Sequence, residues 1–257
     1  MIRVAAAGDV HYDRKSRGFL SGHLSALRNQ ADILLLAGDL TRSGLVDEAY
    51  ALAQDLRDCP VPVAAVFGNH DYHRDKEKEI RALLEESGVT VLERASARFT
   101  LNGMTVGVVG AKGFGGGFPG ACGTEYGEPE MKAFIRHTRE IAADVKSLLE
   151  ELDTAYKLVL LHYSPVSDTL LGEPKEIYPF LGSYLLAAAV DEAGADIVFH
   201  GHAHHGVEKG ATAGGVPVRN VAQPVIGHAF NIYTLGREGD LIGAASTSAN
   251  NTVTAKR

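Results

Sequence analysis

Eight residues set the chemical question in this sequence: Asp9, His11, Asp39, Asn69, His70, His162, His202 and His204. Carboxylates, a carboxamide and imidazoles are the donors that hold borderline divalent ions such as manganese, iron and zinc. No cysteine lies among them, which turns the reading away from soft tetrahedral zinc and iron–sulfur chemistry. With His70 set aside, seven ligands are too many for one ion that keeps an open position. Two divalent ions sharing a carboxylate satisfy them, and Asp39, on a central strand, is the expected bridge. Set against Asp9, Asp39 and one hydroxide, two such ions leave about one positive charge, and that pocket attracts a phosphate ester. Paired ions also make a bridging hydroxide available as nucleophile, clamp the phosphoryl oxygens and stabilise an in-line transition state. The leaving oxygen then needs a proton. His70, next to ligand Asn69, is placed to give it as general acid, and Asp71 is expected to orient or charge that imidazole.

Each of these residues follows a short aliphatic run. Residues 2–7, 33–37, 61–67, 158–161 and 197–199 read as strands buried on both faces, because the apolar residues run on without alternation. Helical spacing fills the gaps, over 19–29, 45–58, 76–87, 128–152 and 183–192, with Pro129 in the first turn of the longest segment. Asn102-Gly103 marks a hairpin between 99–101 and 104–109. Shorter strands are expected after Val216, with another hairpin through 237–240 and a small, polar tail over 244–257. Strand, helix, strand is α/β grammar, and parallel neighbours would bring all five clusters to one sheet edge, where open α/β sheets bind ligands.

The blocks Asp9-Val10-His11, Gly38-Asp39, Gly68-Asn69-His70-Asp71, His162 and Gly201-His202-Ala203-His204 resemble, in order and spacing, those of the calcineurin-like metallophosphoesterases. The resemblance implies one metal held by Asp9, His11, Asp39 and His204, and a second held by Asp39, Asn69, His162 and His202. It implies His70 as proton donor. The implied fold is a four-layer α/β/β/α sandwich with the dimetal site at the carboxyl ends of the strands. One block departs from the family's protein phosphatases: Gly38-Asp39-Leu40-Thr41-Arg42-Ser43-Gly44 has Ser43 where their phosphate-gripping arginine stands, and Arg42 is shifted by one position. The Gly-Asp-Leu-Thr and Gly-Asn-His-Asp forms look more like the bacterial phosphodiesterase branches, which makes a phosphodiester the leading substrate class. A phosphomonoesterase acting on a small phosphate ester or nucleotide is the first alternative, which extra cationic groups around the site would favour. A non-catalytic metal-binding scaffold of the same fold is the second.

Arg42, His73, Lys175, Tyr178 and His205 are candidates for substrate contacts, since each falls in or beside a segment expected at the metal edge. His200 reads as a hydrogen-bonded neighbour of the ligands. The glycine-rich stretch 110–127 reads either as a lid over the pocket or as a surface loop, and it lacks the Lys-[Ser/Thr] of a P-loop.

Composition sets the outer limits. The chain has 257 residues, 45% hydrophobic and 22% charged, which suits a single globular domain over 1–257. Its 32 acidic against 25 basic residues argue against a protein that wraps nucleic acid or lies on an anionic membrane, though not against a nucleotide-sized substrate. No apolar run approaches the ~20 residues of a membrane helix. The apolar N-terminal run is too short for a signal peptide, and Cys59 and Cys122 lack CxxC partners, so a cytoplasmic location with reduced thiols is expected.

Overall fold

A computed structural model describes residues 1–236. In chain order the elements are β1 (Ile2–Ala7), α1 (Ser21–Gln30), β2 (Ile33–Ala37), α2 (Val46–Leu56), β3 (Val63–Val66), α3 (Glu77–Glu86), β4 (Val89–Val91), β5 (Ala95–Leu101) and β6 (Met104–Ala111). There follow β7 (Gly117–Phe118), β8 (Ala121–Cys122), α4 (Pro129–Glu150), β9 (Tyr156–Leu161), α5 (Tyr178–Leu181) and α6 (Tyr184–Ala193). The series closes with β10 (Ile197–His200), β11 (Lys209–Ala211), β12 (Pro217–Asn220), α7 (Gln223–Ile226) and β13 (Asn231–Leu235). The five expected helices correspond to α1, α2, α3, α4 and α6 with ends moved by one or two residues, and Asn102 and Gly103 both carry the positive φ of a type I′ turn. The hairpin expected through 237–240 and the tail 244–257 lie outside the described residues.

The strands form two main sheets, ordered β13-β1-β2-β3-β4 and β11-β12-β10-β9-β6-β5. Alternation along the buried strands assigns each residue to one of three apolar cores. Leu34 and Leu36 of β2 pack with Leu24 and Leu27 of α1, Leu52 and Leu56 of α2, and Ile80 and Leu84 of α3. Ile33, Leu35 and Ala37 face the other way, into a core shared with Val106, Val108, Leu158, Leu160, Ile197 and Phe199 of the second sheet. Val159, Leu161 and Val198 turn outward again, onto Ile141, Val145 and Leu149 of α4 and Leu186 and Val190 of α6. Three cores between successive layers make the expected α/β/β/α sandwich, and they explain why these strands lack a polar face.

The five ligand-bearing strands do not share one sheet edge. β1, β2 and β3 are parallel neighbours in the first sheet, and β9 and β10 are parallel neighbours in the second. Within the first sheet Ala7 lies opposite Leu36 and Ala37 opposite Val66, so the chain leaves three adjacent strands at one level. The carboxyl ends of the two sheets then meet: the His162 ring reaches across to the Ala37 carbonyl, with Nδ1 donating at 2.9 Å. Apolar periodicity cannot reveal this split, because either sheet buries its strands on both faces.

Candidate metal centre

Three overlapping groups of ligand atoms lie at this junction: Asp9, His11 and His204; His11, Asp39 and His70; and Asp39, His162 and His202, each within 4.8 Å of one another. Asn69 joins the last group, its Oδ1 lying 3.0 Å from His162 Nε2. The eight residues singled out in the sequence are therefore gathered in space.

The backbone bends sharply to present them. Asp9, His11, Asp39 and His202 all have positive φ, between 42° and 71°, a region that non-glycine residues enter rarely. Backbone donors then fix the carboxylates. The His202 N–H reaches both Asp9 oxygens, at 3.1 and 2.9 Å, and the His70 N–H donates to Asp39 Oδ1 at 2.9 Å. Each carboxylate is thus oriented by the chain that carries another ligand.

Two glycines make that interlock sterically possible. A Cβ on Gly68 would lie 2.0 Å from Asp39 Oδ1 and 2.2 Å from its backbone nitrogen, and one on Gly201 would lie 2.3 Å from Asp9 Oδ2. Gly68→Ala is accordingly expected to displace Asp39, lowering both unfolding stability, by about 1–3 kcal/mol, and bound metal per chain. Unchanged denaturant midpoint and metal content would show that the loop can yield.

The donor set passes a physical test for a cation. Because His162 Nδ1–H is used on the Ala37 carbonyl, Nε2 carries a lone pair. It faces Asn69 Oδ1 at 3.0 Å and Asp39 Oδ1 at 3.3 Å, so three electron-pair donors converge without a proton to share. His11 Nδ1 is buried without a hydrogen-bond partner among the described residues. A positive ion resolves the conflict at His162, and His11 turns its other nitrogen, Nε2, toward Asp39 Oδ2 at 3.7 Å.

Electrostatics favours the binding form of three of these residues. Burial works against charge on Asp9, yet the hydrogen bond from His204 at 2.8 Å and the nearby His162 hold its carboxyl below the usual range. Burial pushes His11 below the ordinary imidazole range and His202 down to about 3, which favours the neutral, ligating form of both rings. His204 alone is raised, chiefly by its hydrogen bond to Asp9.

His70 is positioned by the chain and not by its neighbour. Its Nδ1 donates to the Arg42 carbonyl at 2.7 Å, which leaves Nε2 toward the ligands, 3.8 Å from Asp39 Oδ2. Asp71 does not orient this ring, contrary to expectation. It is fully buried, and accepts from Leu40 N at 3.1 Å, Thr41 N at 2.8 Å, Thr41 Oγ1 at 2.6 Å and Gly68 N at 2.8 Å. Burial pushes its carboxyl up to about 6 against the pull of these donors. Its place is a brace between the Gly38–Thr41 turn and the Gly68–Asn69 turn.

The expected substrate contacts divide. The His73 ring lies against His70, centroids 4.5 Å apart, and His205 is exposed beside His204 with its N–H bonded to Glu173. The Arg42 side chain turns away to Asp13 at 3.4 Å. Tyr178 packs near Phe118 and donates its hydroxyl to the Leu170 carbonyl at 2.9 Å, so it serves the wall of the crevice. Lys175 is exposed on a short 3-10 turn. Phe180 is exposed, and its carbonyl lies 3.3 Å from His202 Nε2. The glycine-rich stretch is tied down near this wall: Gly116 N bonds to the Pro179 carbonyl at 2.6 Å and Gly117 N to the Gly182 carbonyl at 2.8 Å, while Phe118 is buried beside Leu170 and Leu181.

His200 is a hydrogen-bonded neighbour, as expected, and it carries a pH dependence. Nδ1 donates to the Gly201 carbonyl at 2.7 Å and Nε2 meets the Thr169 hydroxyl at 2.8 Å. Burial lowers its pKa from 6.5 to about 4. Between those values the unfolded chain binds the extra proton, so stability is full above pH 6.5 and falls as the pH drops toward 4, by about 3 kcal/mol from this residue. Urea unfolding of metal-stripped protein is expected to lose less stability from pH 7.5 to 5 in His200→Gln than in the wild type; equal losses would remove His200 from the account.

Comparison with known proteins agrees with this geometry. A family model described as calcineurin-like phosphoesterase matches residues 2–206. A Caenorhabditis elegans protein named for metallophosphoesterase activity, F40B5.2, is 31% identical over 114 residues, covering 43% of this chain and 23% of its own length. The chain thus matches under a quarter of that relative. Among solved structures, the phosphopantetheinyl hydrolase of Mycobacterium tuberculosis has a TM-score of 0.62 at 17% identity, covering 85% of this chain and 88% of that one. A Staphylococcus aureus protein described as a 5'-nucleotidase has a TM-score of 0.58 at 16% identity over 95% of this chain and 53% of that one. These two likenesses are of fold. No helix among the described residues is long and apolar enough to cross a membrane.

Proposed function

The chain belongs to the calcineurin-like phosphoesterase family, and we propose that it hydrolyses a phosphodiester with the help of two divalent ions. The observation that carries this reading is the place of Asp39. Its carboxylate stands with His11 and His70 in one ligand group and with His162 and His202 in another, which supports reading it as the bridge between two ions. Asp9, His11 and His204 complete one half, and Asn69, His162 and His202 the other. When bound, the ions supply an activated water and draw charge from the phosphoryl oxygens. Manganese, iron and zinc all suit the donors.

The chain's own residues supply the rest. Asp9 and Asp39 leave the loaded pocket with a small positive excess, matched to the single charge of a diester. No side-chain cation is set among the ligands to grip a second charge on the same phosphoryl group: Arg42 is paired with Asp13, and the Lys112 ammonium stands apart, among the rings of Tyr72, Phe114 and Tyr163. That absence, among the described residues, favours the diester over the monoester. His70, with Nδ1–H fixed on the Arg42 carbonyl, holds the proton for the leaving oxygen at Nε2.

The test is turnover of bis-p-nitrophenyl phosphate and p-nitrophenyl phosphate by metal-stripped protein reloaded with manganese, iron(II) or zinc. Metal-dependent cleavage with kcat/KM higher for the diester is expected. Preference for the monoester would transfer the assignment to a phosphomonoesterase, and two bound ions without turnover of either would point to a binding scaffold.

A further inference from the structure

A second cavity lies at the same end of the sheets as the ligands. Beside β3 in the first sheet lies β4, whose carboxyl end leads to Glu93 and Arg94; beside β9 in the second lies β6, which leads to Lys112. One strand spacing, ~5 Å, therefore separates the Asn69 and His162 blocks from a second set of side chains at the same end of the sheets. There a cavity of about 390 Å³ is lined by Tyr72, Glu93, Arg94, Lys112, His137 and Ile141.

Lys112 is the group in this cavity whose bonding is incomplete. Its ammonium stands 5.3 Å from the ring centre of Tyr72, 4.8 Å from that of Phe114 and 5.1 Å from that of Tyr163. Ring faces hold a cation in place but accept no conventional hydrogen bond. Among the described residues it has no hydrogen-bond acceptor and no carboxylate at ion-pair distance; Glu93 and Asp39 act on it only through space, against a burial that lowers its pKa. Glu93 is committed elsewhere, with Oε1 accepting from Phe67 N at 2.8 Å and Oε2 lying 3.4 Å from the Tyr72 hydroxyl. Arg94 is bonded to Asp144. What the cavity still offers a ligand is a positioned ammonium, with the His137 imidazole and an aromatic wall beside it.

The Tyr163 ring stands between Lys112 and the metal centre. Its ring centre lies 4.4 Å from that of His202 and 5.6 Å from that of His162, so one side chain borders both the ligands and Lys112. Lys112 and the ligands thus flank one ring at the same end of the sheets, within the span of a single substrate.

We infer that the Lys112 cavity is a second subsite of the crevice, which takes an oxyanion, carboxylate or phosphate, carried by the substrate at a distance from the ester that is cleaved. The inference rests on the phosphoesterase reading and narrows its substrate class to esters with a second anionic group. The cleaved phosphoryl group is left to the metal ligands, and the extra charge of the substrate is met one strand away.

The experiment compares p-nitrophenyl alkyl phosphodiesters whose chains end in methyl, carboxylate or phosphate, or alkyl monoesters with the same chain ends if monoesters are preferred. Lys112→Met keeps the apolar stem among the rings and removes the charge. It is expected to raise KM for the two anionic esters about tenfold or more relative to the methyl ester, with kcat little changed and with recovery in Lys112→Arg. A readout independent of turnover is the Lys112 Cε–Hε signal in labelled protein, identified by its loss from Lys112→Met, which is expected to shift on titration with succinate. A selective KM effect for only one of the two anionic chain ends would identify which oxyanion fits. Turnover with the same KM change for all three esters, and no succinate shift, would overturn the subsite. A succinate shift without turnover of any ester would instead overturn the phosphoesterase reading and leave an anion site.

Discussion

Asp39→Asn is expected to strip metal from both halves of the site and to lower turnover by about a thousandfold or more. Asparagine is the informative replacement. Asp39 sits at φ 49°, in the left-handed region that asparagine tolerates far better than alanine. It also keeps an oxygen for the His70 N–H, which donates at 2.9 Å, and fits the space against Gly68 that the carboxylate occupies. The change therefore removes charge while leaving shape and backbone nearly as they were. Asp9→Asn makes the contrast, because Asp9 belongs to one ligand group where Asp39 belongs to two. Elemental analysis should find about one ion per chain in Asp9→Asn and close to none in Asp39→Asn. If Asp39→Asn keeps two ions at wild-type affinity, Asp39 is no bridge and the ions are held independently.

The ligand blocks were legible in the sequence because metal chemistry constrains both type and place. A donor must stand where backbone turns hold it still, and the carboxyl ends of buried strands meet that need. Asp9, Asp39, Asn69, His162, His202 and His204 each follow an apolar run that the layered cores then explain. Relations between distant segments were not legible. Adjacency in sequence suggests Asp71 as a partner of His70, but residues 70–72 form a 3-10 turn, where successive side chains point about 120° apart. The turn sends His70 toward the ligands and Asp71 into the interior, where Leu40, Thr41 and Gly68 await a buried acceptor. Lys112 gave no local signal either. Its meaning comes from Tyr72, Phe114 and Tyr163, three rings that only the meeting of the two sheets brings together. Tyr178 shows the reverse error, since its position beside the metal edge was right and its hydroxyl was already used on Leu170.

His70→Ala is expected to keep its metal and to lose rate according to the leaving group. General acid catalysis contributes roughly a hundred- to ten-thousandfold, most where the departing oxygen is basic. An alkyl phosphodiester should therefore lose activity near the top of that range, while a p-nitrophenyl ester, whose phenoxide leaves unaided, should lose far less. The geometry makes the variant a clean probe. His70 lies within the group formed with His11 and Asp39, yet Asp9, His11 and His204 on one side and Asp39, Asn69, His162 and His202 on the other would remain to hold the proposed ions without it. Metal content is thus the control that separates two explanations of a slow variant. If turnover falls equally for alkyl and p-nitrophenyl esters with both ions retained, His70 orients the substrate or the ligands and is not the acid. If metal falls as well, His70 is itself a ligand. Arg42 supplies an independent check, because only its carbonyl holds the ring: Arg42→Ala removes the side chain bonded to Asp13 and leaves that carbonyl in place. It should therefore preserve the leaving-group dependence of the wild type, and a slope like that of His70→Ala would mean that the Arg42 side chain, and not its backbone, governs proton transfer.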